Sequence, residues 1–342
     1  MVSSRVTIQD LADNLGLSKF SVSRALSGKP GVGEATRNRV VRAAHSMGYR
    51  VGLELPYTAG HILFIRQEID PVSSELWLNI MHGAEREGER LGFSILPRKA
   101  RHLNDTTALE PSVVGIILAV PRPVEWSSLA AKTGLPVVCA SYVSPMEQID
   151  QVVGADWEAG FGVAQLLLKL GHRSMAFVHG SATPMGRVER FRGFRDGAST
   201  HDDTQIDDIV FDESEGFRSA LLRYLQSGRK PTALFCAHDG IAISVISELL
   251  RLGVRVPEDV SVVGFNDFAS AMHVSPRLTT VRTPQVEMGA AMIRCIAERL
   301  ASAEARNRPP MRLALVADLI ERESTLKASK SDWSSRVLSA TS

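Results

Sequence analysis

Over the first fifty residues, apolar positions recur every three or four residues, the period of helices half buried in a small shared core. Ile8, Leu11, Ala12 and Leu15 form one such stripe behind Thr7, which makes a capping-box variant with Asp10 three positions on. Gly16 suits the left-handed exit of that helix and Ser18 the N-cap of the next. At 3.6 residues per turn the second helix turns Val22, Ala25 and Leu26 to one side and Lys19, Phe20, Ser23 and Arg24 to the other. A third helix over residues 34–47 supplies Val40, Val41, Ala44 and Met47 to the same core, and Gly48 closes it. Helix, short Gly-containing turn and helix, completed by a third, predict a unit of residues 1–50 with the polar face of its second helix offered outward.

From residue 61 the pattern changes to short, continuous apolar runs alternating with amphipathic stretches. Strands are predicted over 61–66, 93–96, 113–119 and 136–140, with a helix over 74–91. A second set follows, with helices over 158–170, 185–197, 215–226 and 240–252 and strands over 175–179, 208–211, 232–236 and 260–265. Alternation of this kind means parallel sheets buried on both faces, here two of them. A helix over 285–301 and a strand over 313–316 are too few for a third domain, so they are expected to complete the first lobe. The predicted class is therefore α/β, a helix-turn-helix head followed by a two-lobed core. The first lobe spans about 61–145 and 283–325, the second about 146–282, with a cleft between them. Residues 326–342 are Ser-rich without apolar heptads and are expected to form a flexible tail.

Charge gives the head a partner. Residues 1–50 hold eight Lys or Arg against three acids, whereas the remainder holds 31 against 35, so a net charge of +1 conceals a basic head on a mildly acidic body. That asymmetry suits a head that neutralises phosphates; charge alone would equally suit a solvated helix face, but the helix-turn-helix pattern favours the first. Cys139, Cys236 and Cys295 are odd in number, widely spaced and set in apolar sequence, as buried thiols in a reducing cytoplasm would be. No apolar run approaches the ~18 residues that span a bilayer, so no membrane partner is expected. The glycines at 160 and 162 lack a third for a dinucleotide loop, residues 180–187 miss the Lys-Ser/Thr of a phosphate loop, and the nine His are scattered. Neither an enzyme, a metal nor a cofactor is expected.

The residues Thr7-Ile8-Gln9-Asp10-Leu11-Ala12, Gly16-Leu17-Ser18, Ser21-Val22-Ser23-Arg24-Ala25-Leu26-Ser27-Gly28, Val32, Thr36-Arg37, Arg39-Val40, Ala43-Ala44 and Gly48-Tyr49 resemble the amino-terminal signature of the lac and galactose repressor (LacI/GalR) family. The resemblance implies a recognition helix in the major groove of operator DNA, with Lys19, Phe20 and Arg24 reading base edges. Ser21, Ser23, Thr36, Arg37 and Thr7 would be phosphate contacts. Phe20 departs from the polar residue often found there; it meets a thymine methyl but forms no bidentate bond. The linker 51–60 departs too: Gly52 and Pro56 oppose the usual hinge helix, and Leu53 or Leu55 is left as the candidate minor-groove wedge.

The resemblance continues through Asp156 with Gly160, Leu170-Gly171-His172-Arg173, Arg190-Phe191-Arg192-Gly193-Phe194, Ala237-His238-Asp239-Gly240, the run from Gly253 to Phe265, Pro276-Arg277-Leu278-Thr279-Thr280-Val281 and Arg322-Glu323-Ser324-Thr325. It implies an effector domain similar to periplasmic sugar-binding proteins, with Trp77, Asp156, Arg190, His238 and Asn266 as effector contacts. Trp77 has a core reading beside ring stacking, and Asp156 a helix-cap reading. The implied function is a cytoplasmic, homodimeric regulator, a repressor, on a pseudo-palindromic operator. With His238 and Asn266 where the family often carries Asn and Asp, Arg190 has one acid fewer beside it, leaving Asp156 as its counter-charge, and a His near its unperturbed pKa adds part of a positive charge, so a sugar acid or sugar phosphate is expected over a neutral sugar. The alternative is that Asn266 swaps one hydroxyl acceptor for another and the ligand stays neutral. A stand-alone solute receptor is the rival reading; it would leave the basic head without a role.

Overall fold

The computed structural model describes residues 7–26, 31–33, 36–37, 39–40, 43, 60–66, 74–100, 112–119, 133–143, 146–181, 184–212 and 214–341. In the head, α1 (Ile8–Leu15) and α2 (Lys19–Leu26) are joined through Gly16 at φ 63°. Residues 36, 37, 39, 40 and 43 are helical, and Val40 is fully buried with Leu11, Ala12, Val22 and Ala25. Arg39 ties this stretch back to α1 by donating to the Leu15 carbonyl at 3.3 Å. Val41, Ala44, Met47, Gly48 and the linker 51–59, including Leu53 and Leu55, lie outside the described residues.

The first sheet is parallel and six-stranded, in the order β11-β5-β4-β3-β1-β2. Its strands are β1 (His61–Arg66), β2 (Ser94–Lys99), β3 (Val113–Ala119), β4 (Val137–Cys139), β5 (Asp150–Gly154) and β11 (Arg312–Leu315). Helix α3 (Ser74–Leu91) packs on it beside α8 (Gln285–Leu300), so the late helix and strand do complete this lobe. The second sheet runs β7-β6-β8-β9, from β6 (Ser174–Gly180), β7 (Gln205–Phe211), β8 (Ala233–Cys236) and β9 (Ser261–Val263). Helices α4 (Asp156–Lys169), α5 (Met185–Ala198), α6 (Gly216–Gln226) and α7 (Asp239–Arg251) alternate with these strands. Each sheet opens with the order second, first, third, fourth strand, so each has a switch point beside its first strand, where doubly wound sheets bind ligands.

Three boundaries move from the sequence-based expectation. The first is β5: its polar opening, Asp150-Gln151, reads as loop, yet both residues are buried in the first sheet. Arg299 makes this tolerable. Its Nε and Nη2 donate to the two Asp150 carboxylate oxygens at 2.8 and 2.7 Å, and the Met311 amide donates to the same group at 2.7 Å. The chain therefore leaves the first lobe after Gly154 and not near residue 145. Second, the two later crossings form an antiparallel pair, β10 (Thr280–Arg282) with β12 (Asp318–Ile320). Residues 322–326 then join the second lobe, where Ser324 accepts from the Val262 amide and returns its hydroxyl to the Val262 carbonyl.

Third, the expected flexible tail is ordered against the second lobe. After α9 (Ala303–Arg306), the last helix, α10 (Trp333–Thr341), buries Trp333 and Val337 in that lobe's core. The Trp333 indole donates to the Pro231 carbonyl at 3.2 Å, while Ser331 and Arg336 converge on the buried Asp259 carboxylate. A lone Trp with one apolar residue a turn later carries no heptad, so its burial is legible only once the surface it covers exists.

Candidate functional site

In the head, Thr7 and Asp10 complete a reciprocal cap. The Thr7 amide donates to the Asp10 carboxylate at 2.7 Å, and the Thr7 hydroxyl accepts from the Asp10 amide at 3.3 Å. The first of these holds the Asp10 carboxyl below its ordinary range, with help from the Thr7 hydroxyl. Ser18 caps α2 by accepting from the Ser21 amide at 3.1 Å, and the two hydroxyls lie 2.9 Å apart. With Val22 and Ala25 buried, α2 turns Lys19, Phe20 and Ser23 to the outside, and Phe20 is 66% exposed. Ser21 and Arg24 are half-buried beside them, as are Thr36 and Arg37 on the third helical stretch. No acid lies on α2, so the face has the sign and shape a nucleic-acid groove accepts.

In the core, Asp156 and Arg190 come together. Asp156 is the first residue of α4, where the N-cap position belongs to Ala155, so the helix-cap reading fails. Its carboxylate accepts from Arg190 Nε at 2.6 Å, with both side chains nearly buried. Arg190 also donates through Nη1 to the Ala237 carbonyl at the end of β8, and its guanidinium lies 3.6 Å over the Phe265 ring beyond β9. One side chain thus joins α4, α5 and the ends of two strands.

Glycine makes that approach possible. A Cβ at Gly193 would fall 1.9 Å from the Trp157 carbonyl oxygen, and one at Gly160 would fall 2.1 Å from the Arg190 carbonyl oxygen. Helices α4 and α5 therefore touch backbone to backbone, and the contact sets the register in which Arg190 reaches Asp156. The first lobe uses the same device, with Gly83 against Val286 and Gly289 against Ile80 on α3 and α8.

His238 caps α7, its Nδ1 accepting from the Ile241 amide at 3.2 Å, which leaves the proton on Nε2. Burial, reinforced by Arg187 and Arg190, pushes its pKa down to about 3. It is a neutral donor at pH 7, which corrects the expectation that it adds positive charge. The His238 part of the case for an anionic effector is therefore not met, and Arg190 has in Asp156 the one counter-charge the sequence left it. Next to it Asp239 is fully buried, accepting from Thr280 and from the Phe268 amide at 2.6 Å each, and burial pushes its pKa up to about 7.

Asn266 is buried at φ 102°, a backbone region unusual for a side-chain-bearing residue. Its amide donates to Val281 and its carbonyl accepts from Gln285 at 3.0 Å, while Gln285 in turn accepts from Asn79 on α3 at 2.8 Å. Glu75 on the same helix accepts from the Ala269 amide at 2.8 Å. These bonds join the first lobe's α3 to the segment that follows β9. Trp77 is half-buried against the first-lobe core, and Asn266 follows Phe265, the ring under the Arg190 guanidinium. Sequence reasoning passed over Phe265 as a strand residue. It also missed Tyr142, whose hydroxyl ionisation is pushed up by burial and by Asp156, because nothing local marks a Tyr beyond a strand end. Among the described residues no cluster of His, Cys, Asp and Glu is fit to hold a metal ion, and no helix is long and apolar enough to cross a membrane.

Residues 7–51 match the model for bacterial regulatory proteins of the lacI family, and residues 164–325 match a periplasmic binding protein-like domain. The HTH-type transcriptional repressor PurR of Aliivibrio salmonicida (strain LFI1238) is 27% identical over 311 residues, covering 86% of this chain and 92% of that one. The HTH-type transcriptional regulator DegA of Bacillus subtilis (strain 168) is also 27% identical, covering 94% and 98%. Among solved structures, a complex of the transcriptional regulator CelR with cellobiose superposes with a TM-score of 0.67 at 26% identity, covering 94% of this chain and all of that one. The lac repressor dimer bound to operator and the anti-inducer ONPF shares the fold, with a TM-score of 0.66 at 22% identity and the same coverage. With a basic helix-turn-helix at one end and a two-lobed core behind it, the chain joins a DNA-binding domain of the lacI family of bacterial regulatory proteins to a periplasmic-binding-protein-like core: a DNA-binding transcriptional regulator with an effector-binding core, and not an enzyme.

Proposed function

We propose that this regulator is a cytoplasmic homodimeric repressor whose operator affinity is set by a small, neutral, polyhydroxylated molecule held between the lobes. Asp156, Arg190 and His238 would bind its hydroxyls, with Trp77 and Asn266 at the margins of the site. The observation that carries this reading is the Arg190 and Asp156 pair, fixed on Phe265 just beyond the carboxyl ends of β8 and β9. A paired carboxylate and guanidinium offer acceptors and donors side by side without net charge, which matches adjacent hydroxyl groups better than an anion. The cellobiose held by the related CelR, a neutral disaccharide, supports the same class.

Control would follow from the bonds between α3 and the segment after β9. Glu75 to Ala269 and Asn79 to Gln285 to Asn266 hold one lobe arrangement, and an effector that binds another arrangement better shifts the population toward it. Two-fold symmetry of the dimer predicts a pseudo-palindromic operator with half-sites about one helical turn apart. Isothermal titration with matched neutral and acidic sugars, glucose against gluconate and cellobiose against cellobionate, tests the class. We expect heat from a neutral member and its loss in Arg190→Ala; tighter binding of the acids would overturn the reading.

A further inference from the structure

Helix α2 places Phe20 and Arg24 one turn apart on the face that its buried Val22 and Ala25 turn outward. Phe20 is two-thirds exposed, so its ring is open to a partner lying on that face. The Arg24 guanidinium carbon lies 4.9 Å from the centre of the Phe20 ring, within the range of a cation–π contact. Gly31 also lies beside the guanidinium, where even a Cβ would be in ordinary contact, 3.7 Å from Cζ, Nε and Nη2. A guanidinium laid on a ring keeps its in-plane N–H edge for hydrogen bonding while losing much of its freedom to rotate.

In the major groove the two side chains have complementary tasks. Guanine offers N7 and O6 to an Arg fork, whereas the apolar feature available to a phenyl ring is the C5 methyl of a pyrimidine. Four residues of helix rise about 6 Å, and base pairs stack about 3.4 Å apart, so the two contacts fall one or two base pairs apart. We propose that Phe20 and Arg24 read the operator as one unit: Phe20 takes a C5-methyl pyrimidine, and its ring positions Arg24 for a guanine in a neighbouring base pair. Discrimination at the two base pairs is then coupled. The inference rests on α2 being the groove-reading helix, as the lacI-family match of residues 7–51 implies.

The test uses the full chain and a double-stranded DNA library randomised over a palindromic site, selected with wild type, Phe20→Ala, Arg24→Ala and the double variant. Among the described residues Phe20 belongs to no core cluster, so its removal should leave the head folded, and circular dichroism checks this. Wild type should select guanine with thymine one or two base pairs away. Replacing that thymine by deoxyuridine should weaken wild-type binding about fourfold, the value of one buried methyl group, and leave Phe20→Ala unaffected. Phe20→Ala should also lower discrimination for guanine about two- to fivefold, as loss of an exposed cation–π contact would. If deoxyuridine binds wild type as well as thymine does, or if Phe20→Ala keeps full guanine discrimination, the coupled unit is overturned. If Arg24→Ala leaves every base preference unchanged, α2 is not the reading helix and that premise fails first.

Discussion

Two glycine-to-alanine changes at α4 and α5 should act with opposite sign, because one glycine is a point of backbone contact and the other is a helix position with open space. An alanine Cβ at Gly193 would sit 1.9 Å from the Trp157 carbonyl oxygen, whereas real Cβ contacts essentially never fall below 3.0 Å. The obstacle is backbone, so no side chain can swing aside and the helices must part by about 1 Å. Arg190 rides on the moving helix one turn away. Adding about 1 Å to its 2.6 Å bond to Asp156 takes that bond past hydrogen-bonding range. Overpacking alone costs about 1 to 3 kcal/mol, and weakening a nearly buried ion pair puts Gly193→Ala at about 3 kcal/mol. At Gly162, within α4, a Cβ meets nothing within 4 Å, so Gly162→Ala should stabilise by about 0.5 to 1 kcal/mol through lost unfolded-state entropy. Urea denaturation of the three proteins, followed by far-ultraviolet circular dichroism, reads both shifts. A Gly193→Ala midpoint equal to wild type, or the same direction of shift in both variants, would show that the helix contact does not set the Arg190 geometry.

Acid should weaken the fold through His238. Its folded pKa of about 3 lies below the unfolded value near 6.5, so its contribution is complete above pH 6.5 and declines as pH falls toward 3. Asp239 opposes this over part of the range: its pKa, raised to about 7, makes its contribution complete below about 3.8 and lost as pH rises through 7. His238→Gln should therefore gain about 2 kcal/mol relative to wild type between pH 7 and pH 5, and parallel stability profiles would count against the buried, neutral His. Asp150→Ala strands the buried Arg299 charge and should cost about 3 to 5 kcal/mol in urea, with Asp150→Asn costing less because it keeps an acceptor. Trp333→Ala should release α10 and speed tryptic cleavage at the already exposed Lys327 and Lys330 by freeing the backbone around them, with a loss of about 3 kcal/mol in second-lobe stability; an unchanged digestion rate would mean the tail is held by its polar bonds alone.

Elements whose periodicity is local can be read from the order of residues alone. The stripe Ile8, Leu11, Ala12 and Leu15, the capping pair Thr7 and Asp10, and the exit at Gly16 are statements about residues three or four apart, and the helix forms where they say. The apolar runs of β1 and β3 emerge with the predicted ends, because a strand buried on both faces needs no partner to be recognised. The outward face of α2 and the basic head were legible in the same way, from spacing and charge. What lay beyond that order were features that depend on a partner far along the chain. Asp150 enters a core strand because Arg299, 149 residues later, neutralises it, and Trp333 is core because the second lobe builds the apolar surface it covers and the Pro231 carbonyl that takes its indole proton. The charge of the candidate site belongs to the same class: Asp156 and Arg190 are visible as residues, but their pairing depends on two helices touching at Gly160 and Gly193. Whether His238 carries a proton is decided last of all, by the solvent that the closed fold excludes and by the two arginines it brings near.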